Sequence, residues 1–242
     1  DDLLVALQTP EVKAQILSEE NLPEDPNRQY ESIADNMAFM FERLFVLGDP
    51  PDYEPTRDRS IAGIAEASGN DPWEVLYDAI AGGALLLGAF TNYANTSQDH
   101  LAVMLEHPDT AVGLSDGGAH VRFICDASMP TYLLTHWTRD RTRGHRIPIE
   151  AIVRKQSALT AEVVGLNDRG VLVAGKRADI NVIDLEKLTL HPPHPCDDLP
   201  AGGRRILQEA TGYVATIVNG VVTRRSDADT GARPGRLVRA SH

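Results

Sequence analysis

The sequence predicts an α/β body followed by a small all-β module, and three observations support this fold class. Helix-like and strand-like segments alternate through the first part of the 242 residues, an order that favours a parallel sheet packed against helices. After Gly170 the pattern changes to short β-branched runs separated by turns. Asn219-Gly220 between two such runs is typical of a β-hairpin. We therefore expect one domain over residues 1–166 and a second over residues 167–242.

Local capping residues predict where the helices of the first domain begin. Thr9-Pro10 supplies an N-cap and a first-turn proline for a helix that runs toward Glu20. Ser60 is expected to cap a short helix, and Asp71-Pro72 a helix that ends near Ala81. Further helices are predicted over residues 97–106, 130–137 and 148–164, and strands over residues 39–47, 85–90 and 110–114.

The second domain is predicted from its β-branched runs. We expect strands over residues 171–173, 180–183, 214–218 and 221–223. His191 and His194 are spaced like a metal-binding pair, but three prolines in the same stretch exclude a helical face. A polyproline-like surface connector is therefore the preferred interpretation of residues 191–195.

Composition excludes several classes of protein. The formal charge of −12 disfavours binding to a phosphate backbone, and the arginine-rich stretch over residues 139–146 is interrupted by Asp140, so that we interpret it as a solvated helix end. Two distant cysteines, Cys125 and Cys196, predict neither a disulfide framework nor a zinc knuckle. No apolar stretch approaches the length of a membrane span. We expect a cytoplasmic protein that binds neither nucleic acid nor membrane.

The most informative stretch is Gly113-Leu114-Ser115-Asp116-Gly117-Gly118-Ala119-His120. Its apolar run stops at a carboxylate, and catalytic groups of α/β proteins lie just beyond the carboxyl ends of strands. Asp116 is therefore the leading candidate for a catalytic residue. The same residues are also typical of a plain turn, because Ser, Asp and Gly are favoured in turns for conformational reasons.

Three stretches together resemble the amidohydrolase superfamily, and within it the N-acyl-D-amino-acid deacylases of the D-aminoacylase type. The first is the segment around Asp116, which is similar to the end of the last barrel strand in that family. The second is the stretch over residues 166–184, Leu-Asn-Asp-Arg-Gly-Val-Leu-Val-Ala-Gly-Lys-Arg-Ala-Asp-Ile-Asn-Val-Ile-Asp, which resembles the return from barrel to β-sandwich. The third, residues 212–220, is similar to the closing hairpin of that sandwich.

The resemblance implies the C-terminal part of a (β/α)₈ TIM-like barrel followed by a β-sandwich. It also implies a zinc-dependent hydrolase of amide bonds, in which Asp116 is the general base and a metal ligand. The family's other ligands lie on earlier barrel strands, so the remaining zinc ligands are expected outside this sequence. The chain, which starts at Asp1 rather than methionine, is thus expected to need an N-terminal half or an oligomeric partner.

Four residues are candidates for contact with an N-acyl amino acid substrate. Ser115 and His120 flank Asp116, and Arg122 follows closely with a planar guanidinium that can pair with the carboxylate of an acyl amino acid. Tyr53 lies in a loop after a predicted strand, where barrel enzymes bind their substrates. For His120, Arg122 and Tyr53, an ordinary structural or surface role remains an alternative.

Two other functions stay open at this stage. Gly113-Leu114-Ser115-Asp116-Gly117 also matches a nucleophile elbow, which would make Ser115 the nucleophile of a serine hydrolase with Asp179 or Asp184 and His191 downstream. Gly117-Gly118 makes a poor first helical turn for that fold, and Asp179 is better explained by structural hydrogen bonds in a β-turn. The second alternative is a catalytically inactive remnant that keeps the fold elements alone.

Overall fold

The computed structural model describes residues 2–19, 40–88, 97–113, 115, 117, 118, 120–122 and 124–238. Within them the chain forms two compact units, Asp1–His100 and Leu101–His242. Helices and strands are mixed, which confirms the α/β class. None of the helices in the described ranges is long and apolar enough to cross a membrane.

In its described residues, the first unit has four α-helices and two short strands. The helices are α1 (Asp2–Leu7), α2 (Pro10–Ser18), α3 (Ile61–Ser68) and α4 (Pro72–Ala81), and the strands are β1 (Leu44–Val46) and β2 (Leu86–Gly88). Leu44, Ile61 and Leu76 form its buried core. The expectation of a parallel sheet is wrong for this pair, because β1 and β2 run antiparallel with Leu44 opposite Gly88.

The predicted N-caps of α3 and α4 are confirmed. The Ser60 hydroxyl accepts a hydrogen bond from the Gly63 backbone N–H at 3.0 Å, and the Asp71 carboxylate accepts one from Trp73 N–H at 2.8 Å. Each side chain satisfies a donor that the first turn of a helix leaves without a partner. Local sequence chemistry is thus sufficient to locate both helix starts.

Removing the Ser60 cap is expected to destabilise the first unit. Ser60→Ala leaves the Gly63 N–H without its acceptor at a fully buried position, which should lower the free energy of unfolding by about 1 kcal/mol. Urea unfolding followed by circular dichroism measures the change. Ser68→Ala, at an exposed serine at the end of the same helix, is the matched control and should shift the midpoint far less. Equal shifts in the two variants would contradict the capping role.

The second unit begins with helices that enclose an apolar core. They are α5 (Asp99–Glu106), α6 (Met129–Thr135), α7 (Ile149–Arg154) and α8 (Thr160–Val163), with α5 starting just before the unit boundary. α6 continues as a π-helix over His136–Asp140, and another π turn, Lys155–Leu159, joins α7 to α8. The core contains Trp137, Ile147, Ile152 and Leu188.

Within this unit, Arg141 corrects the interpretation of residues 139–146 as a solvated helix end. Its side chain is only 1% exposed, and its guanidinium lies 4.7 Å from the centre of the Trp137 ring. The guanidinium also donates to the His145 carbonyl at 3.1 Å. Arg141 is therefore a core residue, because an aromatic face and a carbonyl replace its water.

The C-terminal strands are antiparallel throughout the described residues. They are β3 (Ile180–Ile183), β4 (Thr189–Leu190), β5 (His194–Leu199), β6 (Gly203–Leu207), β7 (Ala210–Thr211), β8 (Tyr213–Val218), β9 (Val221–Arg225) and β10 (Ala228–Asp229). Four of them form one sheet in the order β10-β9-β8-β3, while β5 pairs with β6 and β4 with β7.

The predicted hairpin at Asn219-Gly220 is confirmed. Both residues have positive φ angles, 51° and 79°, and the flanking residues Val218 and Val221 pair across the two strands. Two consecutive positive φ angles match the right-handed twist of a hairpin, and Asn-Gly adopts them at low cost. His194, by contrast, begins β5, so the expected polyproline-like connector is wrong at that residue.

Two predicted strands are absent from the described residues. Residues 110–113 are not a strand, and the Thr110 carbonyl accepts instead from the Lys155 ammonium at 2.6 Å. Residues 171–173 are not a strand either. The Val173 carbonyl accepts from Lys176 N–H in a turn, and Leu172 is 80% exposed with no strand beside it in the described chain.

Candidate functional site

The candidate site lies where the segment after α5 meets α6. Lys155 is buried, and its ammonium donates to the carbonyls of His107 and Thr110 at 2.7 and 2.6 Å. These two bonds hold the turn that precedes Gly113. Ser115 follows, half-buried. Asp116 lies outside the described residues, so its role stays a prediction.

Ser115 lines a small open pocket of about 110 Å³. Apolar side chains of Val112, Met129 and Leu133 share the pocket with polar groups of Gln156 and Thr160; Gly113 and Pro130 complete the lining. Such a surface can hold a small apolar group beside hydrogen-bonding atoms.

Met129, Gln156 and Thr160 were missed as site candidates by the sequence reasoning. Gln156 lies within the helix predicted over residues 148–164, and nothing in the local sequence distinguishes it from a structural residue. Its amide nitrogen donates to the Pro130 carbonyl at 2.9 Å, which ties α6 to the turn between α7 and α8. Only the packing of the helices brings these residues to the Ser115 segment.

His120 and Arg122 lie in the loop that leads to α6. His120 is exposed and has a positive φ of 50°, an uncommon conformation for a residue other than glycine. Its carbonyl accepts a hydrogen bond from Ile124 N–H at 2.9 Å. Arg122 is also exposed. Both side chains are thus presented at the surface of the second unit, in the same unit as Ser115.

The charge of Arg122 acts on the neighbouring hairpin of β5 and β6. The Arg204 guanidinium donates to the Asp197 carboxylate at 2.7 Å and lowers the pKa of that carboxyl, and the positive charge of Arg122 lowers it further. Arg122 therefore lies within electrostatic reach of an acid on β5.

Tyr53 belongs to the first unit, where it is half-buried. Its carbonyl accepts from the Gln98 side-chain amide at 2.7 Å, and the buried Glu54 carboxylate accepts from Gln98 N–H at 2.8 Å. These bonds attach Tyr53 and Glu54 to Gln98, which lies just before α5. Sequence reasoning missed Glu54 and Gln98, because a buried carboxylate has no local sequence signal.

Asp179 has the structural role that the sequence indicated. Its carboxylate accepts from Asn219 N–H at 2.7 Å and from the Arg169 guanidinium at 3.0 Å. It thereby connects the turn before β3 to the tip of the β8–β9 hairpin. These contacts support a structural role for Asp179 rather than a catalytic one.

The other members of the serine-hydrolase alternative also have structural partners. The Asp184 carboxylate pairs with the Lys187 ammonium at 3.1 Å, and the His191 ring lies 2.9 Å from the Thr211 hydroxyl. Among the residues that line the Ser115 pocket there is neither a histidine nor a described acid. The geometry therefore does not favour Ser115 as an activated nucleophile.

The described residues do not form a metal site by themselves. Within these parts of the chain, no group of three or more His, Cys, Asp or Glu side chains could hold a metal ion. Cys125 and Cys196 are both free thiols, and burial raises the pKa of Cys125, which disfavours the thiolate that binds metals. Zinc bound as the sequence predicts would need ligands from outside the described residues.

Comparison with known proteins identifies one family. The sequence profile described as "Amidohydrolase family" matches residues 27–224. This match confirms the predicted resemblance to amidohydrolases. None of the curated protein sequences matches the chain.

Three solved structures of D-aminoacylase are similar to this chain. One, which defines a novel subset of amidohydrolases, is 23% identical, with 80% of this chain and 37% of that chain covered and a TM-score of 0.43. A mutant D-aminoacylase in complex with copper chloride is 22% identical, with 81% and 37% covered and a TM-score of 0.44. A structure concerned with the binuclear metal centre of D-aminoacylase is 22% identical, with 80% and 37% covered and a TM-score of 0.43. This chain thus spans 37% of the length of the D-aminoacylases that it resembles.

Proposed function

Because this chain belongs to the amidohydrolase family, we propose that it is the C-terminal part of a metal-dependent hydrolase of carbon–nitrogen bonds. The single observation that supports this most is the family match over residues 27–224, which includes the Asp116 segment and the β8–β9 hairpin. In this proposal residues 1–166 are the last strands and helices of a TIM-like barrel, and residues 167–242 are a β-sandwich. The substrate class is N-acyl-D-amino acids, and the location is the cytoplasm.

Asp116 is the general base of the proposed reaction. A carboxylate beside the scissile amide can accept a proton from the attacking water and return it to the leaving amine, so one side chain serves both halves of hydrolysis. Asp116 is also the proposed contribution of this chain to a zinc site. As the family resemblance implies, the other ligands are expected on an N-terminal half or an oligomeric partner.

The substrate contacts proposed for this chain are Ser115, His120, Arg122 and Tyr53. The exposed Arg122 guanidinium has the shape and charge to bind the free carboxylate of an acyl amino acid in two parallel hydrogen bonds. Ser115 lines the small pocket beside Met129 and Gln156, where its hydroxyl can donate to a substrate carbonyl. A substrate carboxylate bound to Arg122 is expected to weaken the attraction between Arg122 and Asp197.

The proposal is tested by producing the chain alone and together with the region encoded immediately upstream. Zinc content and hydrolysis of N-acetyl-D-amino acids, with the L enantiomers as a matched panel, are measured on both samples. We expect zinc and D-selective hydrolysis only when the upstream region is present, and loss of both on treatment with a chelator.

Other outcomes would support the alternatives. No metal and no turnover in either sample would favour an inactive remnant. Hydrolysis that resists chelators, with a fluorophosphonate probe labelling the wild type but not Ser115→Ala, would establish the serine hydrolase.

A further inference from the structure

The described residues between Asp116 and α6, which are 117, 118, 120–122 and 124–128, contact the C-terminal strands at two places. We call these residues the site loop. In its middle, the Ile206 backbone N–H donates to the Val121 carbonyl at 2.8 Å. At its end, the Ser128 hydroxyl donates to the side-chain oxygen of Gln208 at 2.5 Å. The strand β6 and the residue after it therefore border the loop that contains His120 and Arg122.

Gln208 makes the most specific of these attachments because both ends of its amide are used. The amide oxygen accepts from Ser128, while the amide nitrogen donates to the His191 carbonyl at 2.8 Å. Gln208 and Ser128 are both half-buried, which shields the bond from competing water. A donor and an acceptor on one planar group favour a single orientation, so Ser128 is joined through Gln208 to His191, the residue after β4.

Ser128 directly precedes α6, and a second bond follows in the first turn of that helix. The Thr131 hydroxyl lies 2.7 Å from the Tyr213 hydroxyl on β8. Ser128 and the first turn of α6 thus each have a hydrogen-bond partner in the C-terminal part of the chain. Because Met129 and Pro130 at the start of α6 line the Ser115 pocket, a shift of Ser128 would move both the pocket wall and the loop.

We propose that Gln208 is a positioning residue for the reaction, which fixes the site loop and the start of α6 through Ser128. The inference rests on the proposed function, since His120 and Arg122 matter only if they meet a substrate. Gln208 itself is not expected to touch a reacting atom. It acts through Ser128 and His191, on opposite ends of its amide.

The first arm of the test does not depend on any activity. Hydrogen exchange of peptides that cover residues 117–128 is compared between the wild-type chain, Gln208→Leu, Ser128→Ala and the conservative Ser128→Thr. Loss of one hydrogen bond should raise the exchange rate of the site loop about fivefold in Gln208→Leu and in Ser128→Ala. Ser128→Thr should retain the wild-type exchange rate.

Thr223→Val is the matched control for this arm. It removes a side-chain hydrogen bond to the Thr216 carbonyl within the same C-terminal unit, far along the chain from the site loop. We expect exchange at residues 117–128 to stay unchanged in Thr223→Val. Unchanged exchange in Gln208→Leu, or an equal rise in the control, would overturn the attachment.

The second arm measures kcat and KM for an N-acetyl-D-amino acid in the sample that contains the upstream region. Gln208→Leu should lower kcat/KM at least fivefold, and Ser128→Thr should restore the wild-type value that Ser128→Ala loses. Faster exchange with unchanged kcat/KM would overturn the positioning role. If the wild type hydrolyses nothing while exchange still responds to Gln208→Leu, the proposed function fails and the attachment of the loop stands.

Discussion

Replacing Asp116 by asparagine is expected to lower kcat for hydrolysis of an N-acetyl-D-amino acid by about 10²- to 10⁴-fold. The amide of asparagine has nearly the same shape as the carboxylate but cannot accept a proton from water or return one to the leaving amine. The substrate contacts proposed for Ser115, His120 and Arg122 are preserved in this variant. We therefore expect KM to change much less than kcat, as steady-state kinetics on the assembled enzyme would show.

Asp109→Asn is the matched control for this prediction. Asp109 is an exposed acid in the turn after α5, upstream of the same segment, and its replacement removes the same charge. Its kcat should stay within about twofold of the wild type, since surface substitutions away from a site have small effects. Retention of full activity by Asp116→Asn, or an equal loss in both variants, would remove Asp116 from the chemistry and direct attention to an acid elsewhere.

Replacing Trp137 by alanine is expected to lower the free energy of unfolding of the second unit by about 3–5 kcal/mol. The Trp137 side chain is 2% exposed and packs in the core with Ile147 and Ile152. Truncation leaves a cavity and also removes the aromatic face beside the buried Arg141 guanidinium, 4.7 Å from the ring centre. A buried cation that loses a favourable neighbour adds to the cost of the cavity.

The loss of stability is measured by urea unfolding, with the slope checked for a change in the unfolded state. Trp73→Ala is the matched control, because Trp73 is 41% exposed and contacts Phe41 edge-on at 5.0 Å between ring centres. Truncation of Trp73 should lower the free energy of unfolding by only about 1 kcal/mol. Similar shifts for the two tryptophans would show that Trp137 is not the centre of a packed core.

The features that were predictable from sequence are those decided within a few neighbouring residues. Ser60 and Asp71 cap their helices because a short polar side chain can reach the N–H groups two or three positions ahead. Asn219-Gly220 forms its hairpin turn because these two residues adopt positive φ angles most readily. Neither outcome requires knowledge of what packs nearby.

Side-chain contacts explain two of the predictions that were wrong. The apolar run over residues 110–113 looks like a strand, yet Lys155 takes its first carbonyl from 45 residues away in sequence. Arg141 looks like a solvated cation, yet the Trp137 ring and the His145 carbonyl surround it in the core. Lys155 reaches a partner far along the chain, whereas Arg141 contacts residues only four positions away and becomes buried through the packing of the second unit.

The sequence by itself determined the family, the mixed α/β class, the helix starts, the hairpin turn and the choice of Asp116 with its flanking Ser115 and His120 as candidates. These depend on short motifs and on bonds between near neighbours. Only the tertiary structure decided that Met129, Gln156 and Thr160 share a pocket with Ser115, and that Gln208 holds Ser128 before α6. The physical reason is that packing joins residues many positions apart, and no local pattern of side chains specifies which pairs will meet.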